Sequence, residues 1–246
     1  MARLDRIYLV RITATLFTGL LLSVAHAEEP TKTSSWTGEI ELGFVKTTGN
    51  TKTESTKVAA KAVKEVEKWR HSGNLEALKS SDNGNTTAER YFISGKTDYK
   101  FSKYEYWYAT ISYDDDRFSG FDYRVSESAG YGRRLIHEPD LTLDGEIGPG
   151  ARQTKLDNGD TESEFLARLA GNLKWKISDN SEFSEDVFTE IGEDATVSKS
   201  VTALKANINS SLAMKLSYTI KHTSEVPDGV EKTDTETVVT LVYNYK

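Results

Sequence analysis

Residues Phe165 to Ile177 read FLARLAGNLKWKI, and every second position is apolar or glycine: Phe165, Ala167, Leu169, Gly171, Leu173, Trp175 and Ile177. Leu166, Arg168, Ala170, Asn172, Lys174 and Lys176 stand between them. Side chains of a strand alternate between its two faces, so a period of two describes a strand with one oily and one wet face. Phe165, Leu169 and Leu173 also fall four apart, the spacing of a helix, but Gly171 and the LKWKI tail favour the strand. The pattern recurs. Trp36, Gly38, Ile40, Leu42 and Phe44 oppose Thr37, Glu39 and Glu41. Tyr91, Ile93, Gly95, Thr97, Tyr99 and Phe101 oppose Arg90, Phe92, Ser94, Lys96, Asp98 and Lys100. Leu212, Met214, Leu216, Tyr218 and Ile220 oppose Ala213, Lys215, Ser217 and Thr219.

Turn signals separate these segments: TTGNTK at 47–52, SSDNGNTT at 80–87, DDDRFSGFD at 114–122, KLDNGDTE at 155–162 and EVPDGVEKTD at 225–234. Gly, Asn and Asp provide the positive φ and local hydrogen bonds that reversals need. Tighter connections fall near Lys68-Trp69, Ser102-Lys103, His137–Asp140, Ser178–Asn180 and Asn209-Ser210. Long loops alternating with short ones suit an up-and-down barrel with one end outside and the other in the periplasm. About twelve antiparallel strands are expected, with both termini on the periplasmic side. Val58 to Trp69 reads as helix by propensity, yet as strand it puts Val58, Ala60, Ala62 and Val66 outward with one misfit, Lys64. We read it as strand, because a helix there would leave an odd strand count. Ser181 to Ile191 alternates too weakly to assign its facing, and facing near 56–68 is also open.

The chain opens with Arg3, Arg6 and Arg11, an apolar run from Ile12 to Val24, and Ala25-His26-Ala27. That is the layout of a secretory signal peptide over 1–27, followed by a barrel domain over 28–246. Removing the signal takes away a net +2, so the remaining 219 residues carry about −9 where the whole chain carries −7. An acidic exported protein has no means of neutralising phosphates in a patch, which argues against nucleic-acid partners. The absence of cysteine excludes disulfides, thiol catalysis and thiolate metal sites. With 28% charged and 37% hydrophobic residues, only alternate positions can be meeting lipid.

A soluble β-sandwich or lipocalin-like barrel, binding a small ligand in the periplasm, would bury the oily face in a core. Recurrent aromatics at strand ends, among them Trp36, Trp69, Tyr99, Trp107, Trp175 and Tyr243, point instead to interfacial girdles. The closing TVVTLVYNYK is similar to a C-terminal outer-membrane insertion signal, departing from it at Lys246. We therefore read an all-β, antiparallel, up-and-down transmembrane β-barrel. More specifically, GEIELGFVKTTGNTKTES, YDDDRFSGFDYRVSESAGYGRRL followed by LDGEIGPGAR, and LSYTIKHTSEVPDGVEKTDTETVVTLVYNY span essentially the whole mature chain in order. With the Gly49-Asn50 turn, Gly148-Pro149-Gly150 and Lys232-Thr233-Asp234, these blocks resemble the salt-induced outer-membrane protein family, the YdiY-like group. The resemblance implies an outer-membrane β-barrel without an assigned activity, associated with salt or osmotic stress by name rather than by mechanism.

Candidate chemistry is sparse. His71, His137 and His222 have no metal-ligand partner at i+2 to i+4, and no cofactor or metal site is expected. His222-Thr223-Ser224 near the outer rim resembles the histidine-activated serine of outer-membrane lipid A deacylases, but Glu225-Val226-Pro227 follows where small polar residues belong. A lipid-modifying hydrolase using His222 and Ser224 is therefore the alternative to a non-enzymatic barrel. Asp114–Asp116 and Asp157–Asp160 could chelate Ca²⁺ or Mg²⁺ among lipopolysaccharide phosphates, although solvated loop tips are the simpler reading. The inward faces matter more: Glu39, Glu41, Arg90, Lys96, Asp98, Arg168, Lys174, Lys176 and Lys215 are expected to line the lumen. Such charges either cross-link and plug the barrel or line a narrow channel for small solutes. The expected partners are the bilayer, lipopolysaccharide and, during insertion, the barrel-assembly machinery.

Overall fold

The computed structural model describes residues 36–46 and 53–245. The expected signal peptide over 1–27, the 47–52 turn and Lys246 lie outside the described residues. Twelve strands follow one another: β1 (Trp36–Lys46), β2 (Thr53–Glu65), β3 (Trp69–Asp82), β4 (Asn85–Lys100), β5 (Glu105–Asp116), β6 (Phe121–His137), β7 (Leu141–Leu156), β8 (Thr161–Ser178), β9 (Ser181–Gly192), β10 (Thr196–Asn207), β11 (Leu212–Thr223) and β12 (Thr233–Tyr245). Each pairs antiparallel with its sequence neighbours, and β1 pairs with β12 to close the barrel. Closure leaves no edge strand, so every backbone donor at membrane depth can find a partner in the ladder.

The oily faces point out. Phe165 is 88% exposed, and Leu42, Phe44, Ile93, Trp107, Leu169, Met214 and Leu241 are exposed as well, whereas Asp98, Glu146 and Arg152 are buried. That is the inverse of a soluble barrel, whose apolar residues fill the interior, and it overturns the soluble ligand-binding alternative: this exterior needs lipid. At 12–18 residues, β2 to β12 exceed the ~9–11 needed to cross a bilayer, so several project beyond it. Aromatic contacts gather at the end where β1 begins: Trp69 against Tyr99 at 4.9 Å, Phe101 against Trp107 at 5.8 Å, and Trp107 against Tyr131 at 5.9 Å. Tyr113 stacks on Tyr123 at 5.8 Å toward the other end.

Three features differ from the sequence-based expectation or resolve it. The 80–87 segment is no long loop: β3 and β4 run through it and reverse at Asn83-Gly84 alone, with φ of 50° and 84°. Likewise the connections at 117–120, 157–160 and 193–195 are short, so long and short loops do not strictly alternate; only 224–232 is long among the described residues. Polar residues at those strand ends extend the ladder into water, where hydrogen bonding needs no apolar partner. Val58–Glu65 is strand, and the misfit Lys64 lies over the Trp36 ring at 5.8 Å, its charge held at the girdle rather than in lipid. Finally, Gly148-Pro149-Gly150 marks a crowded crossing of β6 and β7. A Cβ at Gly148 would lie 2.2 Å from the Ala129 carbonyl oxygen, and one at Gly130 2.1 Å from that of Ile147. Only glycine permits that approach.

Candidate functional site

Charged residues on strands that are not neighbours in the sheet meet across the barrel, which is possible only through its interior. Glu39 on β1 accepts from Lys205 on β10 at 2.7 Å, and Glu41 from Lys215 on β11 at 2.8 Å, with Thr240 donating to the other oxygen of Glu41. Arg90 on β4 donates to Glu236 on β12 at 2.9 Å, and Lys57 reaches the same carboxylate at 2.5 Å. Lys96 on β4 pairs with Glu146 on β7 and lies 3.4 Å from Asp98. Lys221 on β11 pairs with Asp114 on β5 at 2.7 Å. Placing like charges on alternate strands would have forced the lumen apart; here the signs interleave, and each buried carboxylate of this set finds a cation.

The strand register explains this order. On β4 the inward residues share parity with Asp98, the least exposed of the charged residues at 1%, which receives Arg70 at 2.6 Å. Tyr106 donates to Glu146 at 2.8 Å, and Arg70 and Lys96 both lie over its ring, so the phenol is held between acid and cations. Arg134 clasps Asp144 through two nitrogens, at 2.7 and 3.1 Å. Near the opposite end, Arg152 donates to Glu164 at 2.6 Å and approaches Glu190 at 3.7 Å, which Arg168 also contacts at 3.2 Å.

Of the residues picked out from the sequence, Glu39, Glu41, Arg90, Lys96, Asp98, Arg168 and Lys215 thus belong to interior ion pairs. Lys174 faces Ser184 in the β8–β9 register and has no ion pair among the described residues. Lys176 lies at the barrel end, half exposed, and pairs with Asp179 of the following turn at 2.7 Å; that hydrogen bond holds the Asp179 carboxyl below its ordinary range. His222 and Ser224 are not brought together: the His222 ring bonds the Thr233 hydroxyl at 2.8 Å, while the Ser224 hydroxyl accepts the Thr196 N–H at 2.9 Å. Among the described residues, no group of three or more His, Asp or Glu could hold a metal ion.

Sequence reasoning missed Lys199, Lys205, Lys221, Arg152, Glu190 and Glu236. For β10 the cause is plain. Its outward face is Thr196, Ser198, Ser200 and Thr202 before Leu204, so the strand is not amphipathic in the usual sense and hides its parity. The register supplies the missing signal, since Lys199 and Lys205 share parity with buried Val197 and Ala203.

At the end away from the β1 start the lumen opens into a cavity of about 630 Å³. Asp157, Glu162, Asp194, Glu225, Asp228 and Glu231 line its upper part and Arg124, Arg152 and Lys221 its base. A second cavity of about 440 Å³ adjoins Arg90, Lys221 and Glu236. Both share residues with a smaller cavity of about 40 Å³ lined by Phe92, Arg124, Phe188 and Lys199 among others.

A family model described as "Protein of unknown function, DUF481" matches residues 40–245. The uncharacterized protein YdiY of Escherichia coli (strain K12) is 30% identical over 210 residues, covering 84% of this chain and 82% of the relative. Among solved structures, the NanC porin is similar with a TM-score of 0.54 at 10% identity, over 85% of this chain and all of the porin. The translocator domain of autotransporter NalP from Neisseria meningitidis gives 0.51 at 13% identity, over 96% of this chain and 97% of the other. At these identities the structural likeness speaks for the fold alone.

Proposed function

Since the chain belongs to the DUF481 family, described as proteins of unknown function, we propose that it is a non-enzymatic outer-membrane barrel that admits small solutes through a charged lumen. The observation that carries this reading is the interior itself: a wide acidic mouth, a smaller charged cavity adjoining it and interleaved ion pairs inside a closed, lipid-facing wall. Charged side chains at close quarters select among solutes and limit their size, whereas an interior built only to hold a fold together needs no open mouth. The porin-like fold supports the same reading, and so does the separation of His222 from Ser224. Export by cleavage after Ala27, insertion by the barrel-assembly machinery, residence among lipopolysaccharide and a role in salt or osmotic stress complete the proposal. They rest on the sequence features and the family resemblance.

The experiment is purification from the outer-membrane fraction, followed by detergent gels with and without boiling and by planar-bilayer recording. A folded barrel resists unboiled detergent, so a boiling-dependent shift together with discrete conductance steps is the expected result. Shifted protein that never conducts would make the ion pairs a plug, and protein recovered without detergent would remove the membrane reading. Release of acyl chains that disappears in His222→Ala and Ser224→Ala would replace the channel by the hydrolase.

A further inference from the structure

The smallest of these three cavities does not balance its charge among its own lining residues. Four cations line it, Arg90, Arg124, Lys199 and Lys221, against two carboxylates, Asp114 and Glu190. Arg90 is matched from outside this cavity by Glu236, Lys221 is matched by Asp114, and Glu190 is taken by Arg168 and Arg152. Arg124 and Lys199 remain without a carboxylate in contact; Glu76 acts on Lys199 and Asp114 on Arg124 only from beyond ion-pair distance. Arg124 donates from Nε to the Thr154 hydroxyl at 3.3 Å and stacks its guanidinium on the Phe121 ring at 4.3 Å, but its Nη1 is buried with no partner. Lys199 holds its ammonium over the Phe92 ring at 4.9 Å and has no carboxylate within 4.0 Å among the described residues. The rest of the wall is largely apolar or weakly polar: Phe92, Phe188, Val197, Ser112 and Ser126.

Two cations that touch no carboxylate and face one small space with aromatic walls are costly, because the walls screen them far less than water does. An anion between them relieves both at once and satisfies the orphaned Nη1. We infer that this small cavity is a binding site for a small inorganic anion, of halide size, held between Arg124 Nη1 and Lys199 Nζ. The volume of about 40 Å³ admits one such ion. Asp114 Oδ1 also faces this space without a partner, so water bridging it to Arg124 is the competing occupant. The inference does not depend on whether the barrel conducts.

Crystals of the detergent-solubilised barrel grown in sodium bromide test it through the anomalous signal of bromine. A bromide peak within hydrogen-bonding reach of Arg124 and Lys199, absent from crystals of the Arg124→Gln/Lys199→Gln variant, is the expected result. In solution, bromide should raise the temperature of the boiling-dependent gel shift above that in gluconate at equal ionic strength, for the wild type and not for the variant. Ordinary water density without an anomalous peak in the wild type, bromide confined to the outer surface, or a peak that survives both substitutions overturns the site. The wild-type map decides the question even if the variant does not fold.

Discussion

Glu127 faces lipid. It pairs with outward Ile111 in the β5–β6 register, and its neighbours Ser126 and Ser128 are buried on the opposite face. Along β6 it stands four residues from Tyr123 and four from Tyr131, roughly 13 Å from each girdle, and it has no hydrogen bond or ion pair among the described residues. Glu185 on β9 also faces outward, but Ser200 and Thr202 donate to its two oxygens at 2.6 and 2.5 Å. A charged group at the midplane of a barrel exterior costs ~2–4 kcal/mol for Arg or Lys and less for an acid. Glu127→Leu is therefore expected to stabilise the barrel by about 1–2 kcal/mol in urea unfolding from lipid vesicles, and Glu185→Leu by less, because it also strands two hydroxyls. A loss of stability in Glu127→Leu would mean that a polar partner meets this carboxylate in the membrane. Neither residue could be singled out from sequence, since a glutamate in an alternating segment is assigned to the wet face by default.

Strands were legible wherever one face was strongly apolar. In β8, the parity of Phe165, Leu169 and Trp175 agrees with their exposure, and Arg168 contacts Glu190. Single cysteines test this facing: Arg168→Cys should be labelled by a water-soluble maleimide in intact vesicles and Leu169→Cys should not, and equal labelling would discard the assignment. β9 and β10 were not legible, because hydroxyls and Glu185 occupy the lipid side and leave little contrast between faces. Turns were legible as places but not as lengths. Asn83-Gly84 reverses the chain in two residues, both at positive φ, as a hairpin whose twist matches its strands requires. A Cβ at Gly84 would meet nothing within 4 Å, so Gly84→Val isolates the backbone strain. It is expected to lower stability by roughly 1–2 kcal/mol, read as a shift of the urea midpoint. An unchanged midpoint would show that the hairpin end is frayed in the membrane-embedded protein.

The barrel as a unit is closed by its narrowest seam. β1 and β12 share five residue pairs, Gly38↔Tyr245 to Leu42↔Leu241, where β10 and β11 share eleven. Lys205–Glu39 and Lys215–Glu41 cross that seam from the inside. Glu39→Ala/Glu41→Ala should therefore lower the temperature at which the unboiled gel form is lost by several degrees, while Glu65→Ala, whose Lys100 partner lies at an exposed barrel end, should change it little. Equal effects would show that closure is held by the backbone ladder alone. The sequence by itself determined that the chain is all-β and that its strands number about twelve, because alternation is a local property of a strand; that the oily sides are the outer ones was only suggested by the aromatic strand ends and the closing segment. Which cation meets which carboxylate, that Arg124 and Lys199 touch none, and that Glu127 is stranded in lipid were decided only by the tertiary structure. Those facts depend on the stagger of strands far apart in the chain, and no local pattern encodes stagger.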